Sequence, residues 1–224
     1  MERLENLSTT TSESDIIQKI LDGERALFEI LIRRYNPVLY KVARSYGFSH
    51  QDAQDLMQDT YITVYLQLAS FEHRSSFKTW ITKILIHKCL YKLNYGYYKR
   101  EITSEDNPAT NTETMQTLNS KSDTERAVAN REFAKLLETH LEQLPVIYRS
   151  VFVLREVEGF SIAETAELLN ISHVNVKVRL NRSKVMLQKK LESYYSASEI
   201  YEFNAVYCNA MVNSVFAKLD SMGK

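Results

Sequence analysis

Glycine and proline are scarce, five and three in 224 residues. Long helix-compatible runs lie between them, which disfavours a turn-rich sandwich or barrel and makes an all-α fold the expectation. Two cysteines, Cys89 and Cys208, lie far apart and match neither a zinc spacing nor a disulfide framework, so both are expected to be reduced structural thiols, and no metal is implied. Nowhere do about 18 apolar residues run together, and the polar start MERLENLSTTTSESD lacks an apolar core of signal-peptide length. A cytoplasmic chain without membrane insertion is expected. There is also no Gly-rich phosphate loop, no metal-ligand spacing and no nucleophile signature among five histidines and two cysteines. An enzyme is therefore disfavoured, and no catalytic residue, cofactor or small-molecule substrate is expected. With 44% hydrophobic and 25% charged residues the chain suits one large or two small globular domains rather than a disordered or fibrous class.

Net charge is also lacking, but the zero conceals a segregation. Residues 1–14 carry minus 2, residues 15–100 plus 5, residues 101–124 minus 4, residues 125–192 plus 2 and residues 193–224 minus 1. Two basic stretches separated by an acidic one suit a polyanionic partner, because Lys and Arg contacts to phosphate supply most non-specific nucleic-acid affinity.

These segments coincide with changes of pattern. After the polar residues 1–14, apolar residues recur at helical spacing from Asp15 to about Tyr98, with Gly23, Pro37, Gly47 and the polar Glu72 to Ser76 as punctuation. Residues 15–100 are expected to form a helical bundle. Residues 101–124, rich in Thr, Ser, Asn and Glu around Pro108, are too polar to order alone and read as a flexible acidic linker. A second helical domain, residues 125–192, has a periodic helix through Val128, Phe133, Leu136, Leu137 and Leu141, a break at Pro145, and further helices to about Leu191. Ser196 and Glu199 suit the cap of an amphipathic tail helix within residues 193–224, carrying Ile200, Phe203, Tyr207, Met211 and Val215 and expected to pack within the chain in preference to a separate partner-binding role.

In the second domain, EGFSIAETAELLNISHVNVKVRLNRSKVMLQKKL holds two short helices and a tight turn. Ser161 with Glu164 makes a capping box, and Ser172 suits the cap of the second helix after a turn at Asn170. Val176, Leu180, Leu187 and Leu191 form one apolar stripe, set to pack against Ala166, Leu169 and Ile171. From His173 to Lys190 the second helix has six basic residues and no acid. A basic face alone is better read as a solvated surface, but short helix, turn and basic helix in series reverse that and suit a helix-turn-helix with its second helix in the major groove. His173 is open to phosphate contact or simple exposure, and Val174 and Val178 to thymine-methyl contact or half-buried packing.

In the first domain, residues 71–100 hold seven basic residues, one acid and seven aromatics. Cations that follow a backbone and rings that stack unpaired bases are the combination that holds single-stranded nucleic acid. Trp80, Ile81, Ile84 and Leu85 are better read as core by their spacing, Phe77 is ambiguous, and His87 faces DNA or water. The short polar loop FEHRSS, flanked by Phe71 and Phe77, suits capture of one extruded base. Upstream, QDAQDLMQDTYITVYLQL reads as a helix with Asp52, Asp55 and Asp59 on one face and Leu56, Ile62 and Leu66 available to the core. The acidic face is either a protein-docking surface or merely solvated.

Taken in order, these features resemble a bacterial sigma factor of the extracytoplasmic-function (ECF) group. DAQDLMQDTYITVY is similar to the family's polymerase-clamp helix, FKTWITKI to its strand-separation helix, and LPVIYRSVFVLREVEGFSIAETAELLNISHVNVKVRLNRSK to its region four. The resemblance implies a region-two bundle and a region-four helix-turn-helix, with core RNA polymerase and promoter DNA as partners and an anti-sigma factor as a possible third. It implies that Asp55, Gln58 and Asp59 dock on the polymerase. It implies that Phe71, His73, Arg74, Ser75, Ser76, Phe77, Lys78 and Trp80, with Lys83, His87, Lys88 and Tyr91, face the minus-ten element and its flipped base. Asn175, Lys177, Val178, Asn181 and Arg182 would lie along the minus-thirty-five major groove, with Arg155, Arg179 and Lys184 nearer the phosphates. Val174 and Asn175 stand where the family usually has Gly and Thr, Thr165 replaces a usual Ile, and the first domain ends in NYGYYKR rather than a run of arginines. A free-standing helix-turn-helix regulator would explain the second domain but not the strand-separation helix, the acidic helix or the linker.

Overall fold

A computed structural model describes residues 12–102, 125–192, 211–216 and 218 of the chain. It divides into two compact units, Met1–Val185 and Met186–Lys224. Among the described residues the regular elements are helical, in line with the all-α expectation.

The first unit opens with α1 (Glu13–Leu21), where the Ser12 hydroxyl accepts the Asp15 N–H and Glu13 and Asp15 sit at the positive end of the helix. Its apolar face buries Ile16, Ile17 and Ile20. A 3-10 turn, Arg25–Leu27, leads into α2 (Phe28–Ser45). Pro37, read from the sequence as punctuation, lies inside α2. A proline there removes one i to i−4 bond, but the core face is continuous across it, with Leu31 and Tyr35 on one side and Leu39, Val42 and Ala43 on the other, all buried. Burial of that face, worth about 1.5 to 3 kcal/mol for each large side chain, outweighs the lost bond.

Gly47, at φ 90°, turns the chain into α3 (His50–Gln67), capped by Ser49. Its core stripe runs through Ala53, Leu56, Thr60, Tyr61 and Val64. Ile62 and Leu66, expected to be available to the core, are instead 54% and 77% exposed. The stripe that packs on α2 passes through the other side of the helix, leaving these two facing outward. After a 3-10 turn, Leu68–Ser70, and the loop at 71–76, α4 (Phe77–Ile102) packs against α2 and α3. Phe77, Ile81, Leu85 and Cys89, spaced four apart, are at most 1% exposed. Burial pushes the Cys89 thiol up to about 12, in keeping with a structural, unreactive cysteine.

Glu101 and Ile102, the first residues read as linker, still belong to α4, and residues 103–124 lie outside the described residues. The chain continues in α5 (Glu125–Glu142), breaks at Pro145, and forms α6 (Val146–Phe152), a π-helical turn (Val153–Val157), α7 (Ile162–Leu169) and α8 (His173–Glu192). Val151, Ala166 and Val176 nucleate a small core with Ile162, Leu169, Ile171 and Leu180 around it. Leu154, Phe160 and Leu168 join the core of the α2–α4 bundle, so the two stretches expected to form separate domains pack together within the first unit. In the second unit residues 211–216 are helical; Met211 and Val215, expected to pack within the chain, are 58% and 46% exposed. The other tail positions named above, Ile200, Phe203 and Tyr207, lie outside the described residues.

Candidate nucleic-acid interface

The helix-turn-helix is held by local hydrogen bonds that the sequence already indicates. The Ser161 hydroxyl accepts the Glu164 N–H at 3.1 Å, and the Glu164 carboxylate accepts the Ser161 N–H at 2.8 Å, closing the capping box. The Ser161 backbone N–H, then its hydroxyl, hold the Glu164 carboxyl below the usual carboxylate range. Asn170 takes the left-handed conformation at φ 51° and ends α7, while the Ser172 hydroxyl accepts the Asn175 N–H at 3.2 Å and starts α8. Val176 is fully buried, and that sets the roll of α8. The rotation leaves Asn175, Lys177, Val178, Asn181, Arg182 and Lys184 outward, with Arg179 half-buried. Val174, at 69% exposure, is turned outward against the half-buried reading, whereas Val178, at 40%, fits either of its two readings.

Two of these cations are already engaged. The Arg182 guanidinium donates to the Tyr148 hydroxyl at 3.4 Å, and Lys184 pairs with Glu156 at 3.0 Å. The Arg155 guanidinium is tied to the Phe160 carbonyl. Arg155, Ser161, Ile162, His173 and Lys177 line a shallow cavity of about 490 Å³ where α7 and α8 begin. Two cations and a histidine beside two helix N-termini make it a place where a phosphate would be received.

On the bundle, the loop at 71–76 sits on a cluster of rings. Phe71 lies 4.5 Å from the His73 ring, 5.4 Å from Phe77 and 5.1 Å from Trp80, centroid to centroid. His73 adopts φ 54°, a left-handed conformation that shapes the loop at some backbone cost. Arg74 pairs with Glu72 at 2.5 Å on the open surface, and Ser75 and Ser76 lie beside it, the Ser76 hydroxyl accepting the Thr79 N–H to cap α4. Phe77, expected on the DNA side, is a core residue at 1% exposure, packed on Tyr35, Phe71 and Trp80. The first apolar position of α4 faces the bundle, so Phe77 supports the loop from beneath. Trp80 and Ile84 are half-buried, while His87 and Tyr91 are exposed and Lys88 is half-buried. Trp80, Lys83, His87 and Tyr91 follow one face of α4 at helical spacing. Lys78 and Lys83 are half-buried and engaged: Lys78 lies 4.5 Å from the Phe160 ring centre and Lys83 pairs with Glu167 at 2.9 Å.

A third surface lies on α3. Asp55, Gln58 and Asp59 are exposed with Ile62 and Leu66 on the same face. The sequence reading found the polar members and missed the apolar pair. Asp52, grouped with the acids, is instead held by Ser49 and by Lys92 at 2.6 Å, and the Lys92 hydrogen bond lowers its carboxyl below the usual range.

Two family models match in the order these surfaces occur: Sigma-70 region 2 over residues 31–95, and Sigma-70, region 4, over residues 134–187. The chain belongs to the sigma-70 family. Region 2 thus spans most of α2 to α4, and region 4 includes the helix-turn-helix. Among curated relatives, the ECF RNA polymerase sigma factor SigM of Mycobacterium tuberculosis is 27% identical over 180 residues, covering 80% of this chain and 85% of the relative. The ECF RNA polymerase sigma factor SigW of Bacillus subtilis is 27% identical over 180 residues, covering 78% and 94%. The sigma factor RpoE of Bartonella quintana, solved with the anti-sigma factor NepR, superposes with a TM-score of 0.58 at 21% identity, covering 74% of this chain and 96% of that one. That likeness is one of fold.

Proposed function

We propose that this chain is a promoter-recognition subunit of RNA polymerase: it binds core polymerase, reads two promoter elements and starts DNA-templated transcription by trapping an unpaired base. The observation that carries the reading is the ordered presence of region 2 and region 4, the latter with a capped helix-turn-helix whose second helix turns a basic face outward. In this reading α8 enters the major groove of the minus-thirty-five element. Lys177, Asn181 and Arg182 meet base edges with Asn175 and Val178 beside them, while Arg155, Arg179 and Lys184 serve phosphates.

The loop from Phe71 to Ser76, with the ring cluster beneath it, receives one nontemplate base, at a cost of a few kcal/mol of unstacking. Trp80, Lys83, His87, Lys88 and Tyr91 carry the strand along α4, and Lys78 contributes once released from Phe160. Phe77 acts indirectly, by shaping the loop. Asp55, Gln58 and Asp59 with Ile62 and Leu66 form the docking face for core polymerase, acids giving orientation and the exposed apolar pair giving contact area. The catalysis belongs to the polymerase; this chain supplies binding and strand capture, acts in the cytoplasm and is open to control by an anti-sigma factor. The domain limits we propose are 13–102 and 125–192, moved from the expected 15–100 to take in the ends of α1 and α4, with 103–124 as linker. A free-standing regulator would account for α7 and α8 but leaves region 2 without a role.

Run-off transcription with purified core polymerase on genomic promoter fragments, with and without the protein, tests this. Discrete start sites that appear only with the protein are expected. Their absence, with tight duplex binding by the protein alone, would overturn the proposal.

A further inference from the structure

In the loop proposed to capture a base, Phe71 is met by three other rings. Phe77, 5.4 Å away between centroids, is buried at 1% exposure, and Trp80, at 5.1 Å, is half-buried on α4. Both are packed in the bundle, and neither can leave without opening a void. The third, His73, is the nearest at 4.5 Å and the exposed one. Among the described residues no hydrogen bond or ion pair holds its side chain, and its ring contact is with Phe71.

The backbone carries that ring inward. The Phe71 N–H donates to the Leu68 carbonyl at 3.1 Å, and the Ser76 hydroxyl accepts the Thr79 N–H at 3.1 Å, so the loop is pinned at both ends. Glu72 and Arg74 pair at 2.5 Å on the open surface, which clips together the residues on either side of His73. Between them His73 adopts φ 54°, a left-handed conformation that is uncommon for a residue with a Cβ and that His, Asn and Asp tolerate better than most. No polar contact of the side chain offsets that backbone cost, which leaves the stack on Phe71 as its compensation.

An imidazole offers Phe71 what a nucleobase offers, a flat aromatic face, and stacking of bases on aromatic side chains is tolerant of sequence because every base has such a face. A stacked base contributes more than an exposed pair of side-chain rings, so a base can displace the histidine, and solvent lies open to receive the displaced ring. We infer that His73 is a placeholder for the captured base: its ring covers Phe71 in the free chain and swings out when an unpaired nontemplate base takes the same place. Capture then yields only the difference between two stacks, so His73 sets the threshold that a strand must pass, and a strand without a base at that point leaves the histidine where it is. This deepens the proposed reading of the loop and rests on it.

The test uses the full chain with two labelled single strands of equal length, a short oligodeoxyadenylate and the same strand with abasic sites throughout. Fluorescence anisotropy gives two affinities whose ratio is the base-dependent part of binding, and Trp80, the single tryptophan, reports by its emission whether the strand reaches the ring cluster. His73→Gly accepts the left-handed turn without a ring and should raise that ratio about two- to tenfold over wild type, the contribution of one aromatic pair. His73→Asn, which also tolerates the turn, should raise it similarly. Changes in overall affinity cancel in the ratio. An unchanged ratio would overturn the inference, as would a rise in the Gly variant alone, which would place the effect in the backbone. A lowered ratio would make His73 a second wall around the base and overturn it too. If no protein shows base-dependent binding or a change in Trp80 emission, the capture reading falls together with the inference. Strong base dependence with equal ratios removes the inference alone.

Discussion

Two helices carry most of the cations assigned to DNA, α4 in region 2 and α8 in region 4, and they are set up differently. On α8 Lys184 pairs with Glu156 and Arg182 meets a tyrosine hydroxyl, both at the edge of the helix. On α4 the first two lysines are taken up by acids and an aromatic ring from region 4. Basic composition therefore does not equal basic surface. What separates the two is the position of the acids of region 4. Glu158, Glu164 and Glu167 lie in or before α7, on the side that meets the bundle, whereas α8 has no acid before Glu192.

The comparison can be broken most severely from below. Phe77→Ala should lower unfolding free energy by about 3 to 5 kcal/mol in urea titrations, because it empties a packed site beneath the loop. A loss below about 1 kcal/mol would return Phe77 to the DNA side. On α8, Arg182→Ala should reduce discrimination at one minus-thirty-five base pair by about 1 to 3 kcal/mol, measured by competition among base-substituted promoters, with little change in stability. A uniform loss across all sequences would make Arg182 a phosphate contact instead.

Charge reversal on α3, Asp55→Lys with Asp59→Lys, should weaken association with core polymerase by about tenfold at low salt and less at high salt, with unaltered circular dichroism. Unchanged affinity would remove α3 from the docking face.

Ser161→Ala should cost about 1 kcal/mol of stability by breaking the capping box. Its pH dependence has a definite sign. The Glu164 carboxyl is lowered in the folded state, so its contribution is present above the ordinary carboxylate range and is lost as pH falls through the lowered value. The difference between wild type and a Glu164→Gln variant should shrink over that acid window, since the Ser161 backbone N–H that chiefly lowers the carboxyl persists in the alanine variant. The smallest effect concerns Thr165, fully buried with a hydroxyl that lacks a hydrogen-bond partner. Thr165→Val should stabilise the protein by up to about 1 kcal/mol in thermal unfolding.

Local chemistry was legible in the sequence because it is short-range. Ser161 with Glu164, Asn170 and Ser172 each act within four residues, and the structure places all of them at the helix ends read from the sequence. Val176 in the stripe and Cys89 as a buried thiol follow from periodicity and residue type. The errors share one cause, that a face cannot be assigned until a neighbour is known. Ile62 and Leu66 were apolar and so read as core, but α2 packs on the other side of α3 and leaves them outside. Pro37 read as a break, but the apolar face on either side of it is long enough to carry the helix through. Phe77 lay between two readings, and Tyr35, 42 residues earlier, decided it.

By itself the sequence determined the helical class, the order of a basic aromatic helix before a capped helix-turn-helix, and through these the family. Those depend on spacing, propensity and capping, which act within a few turns of chain. Only the tertiary structure decided which cations meet solvent and which meet acids, since the pairs of Lys78 and Lys83 with Glu158 and Glu167 join residues about eighty positions apart. Such contacts form where Leu154, Phe160 and Leu168 enter the bundle core, and burial of these apolar side chains favours that packing.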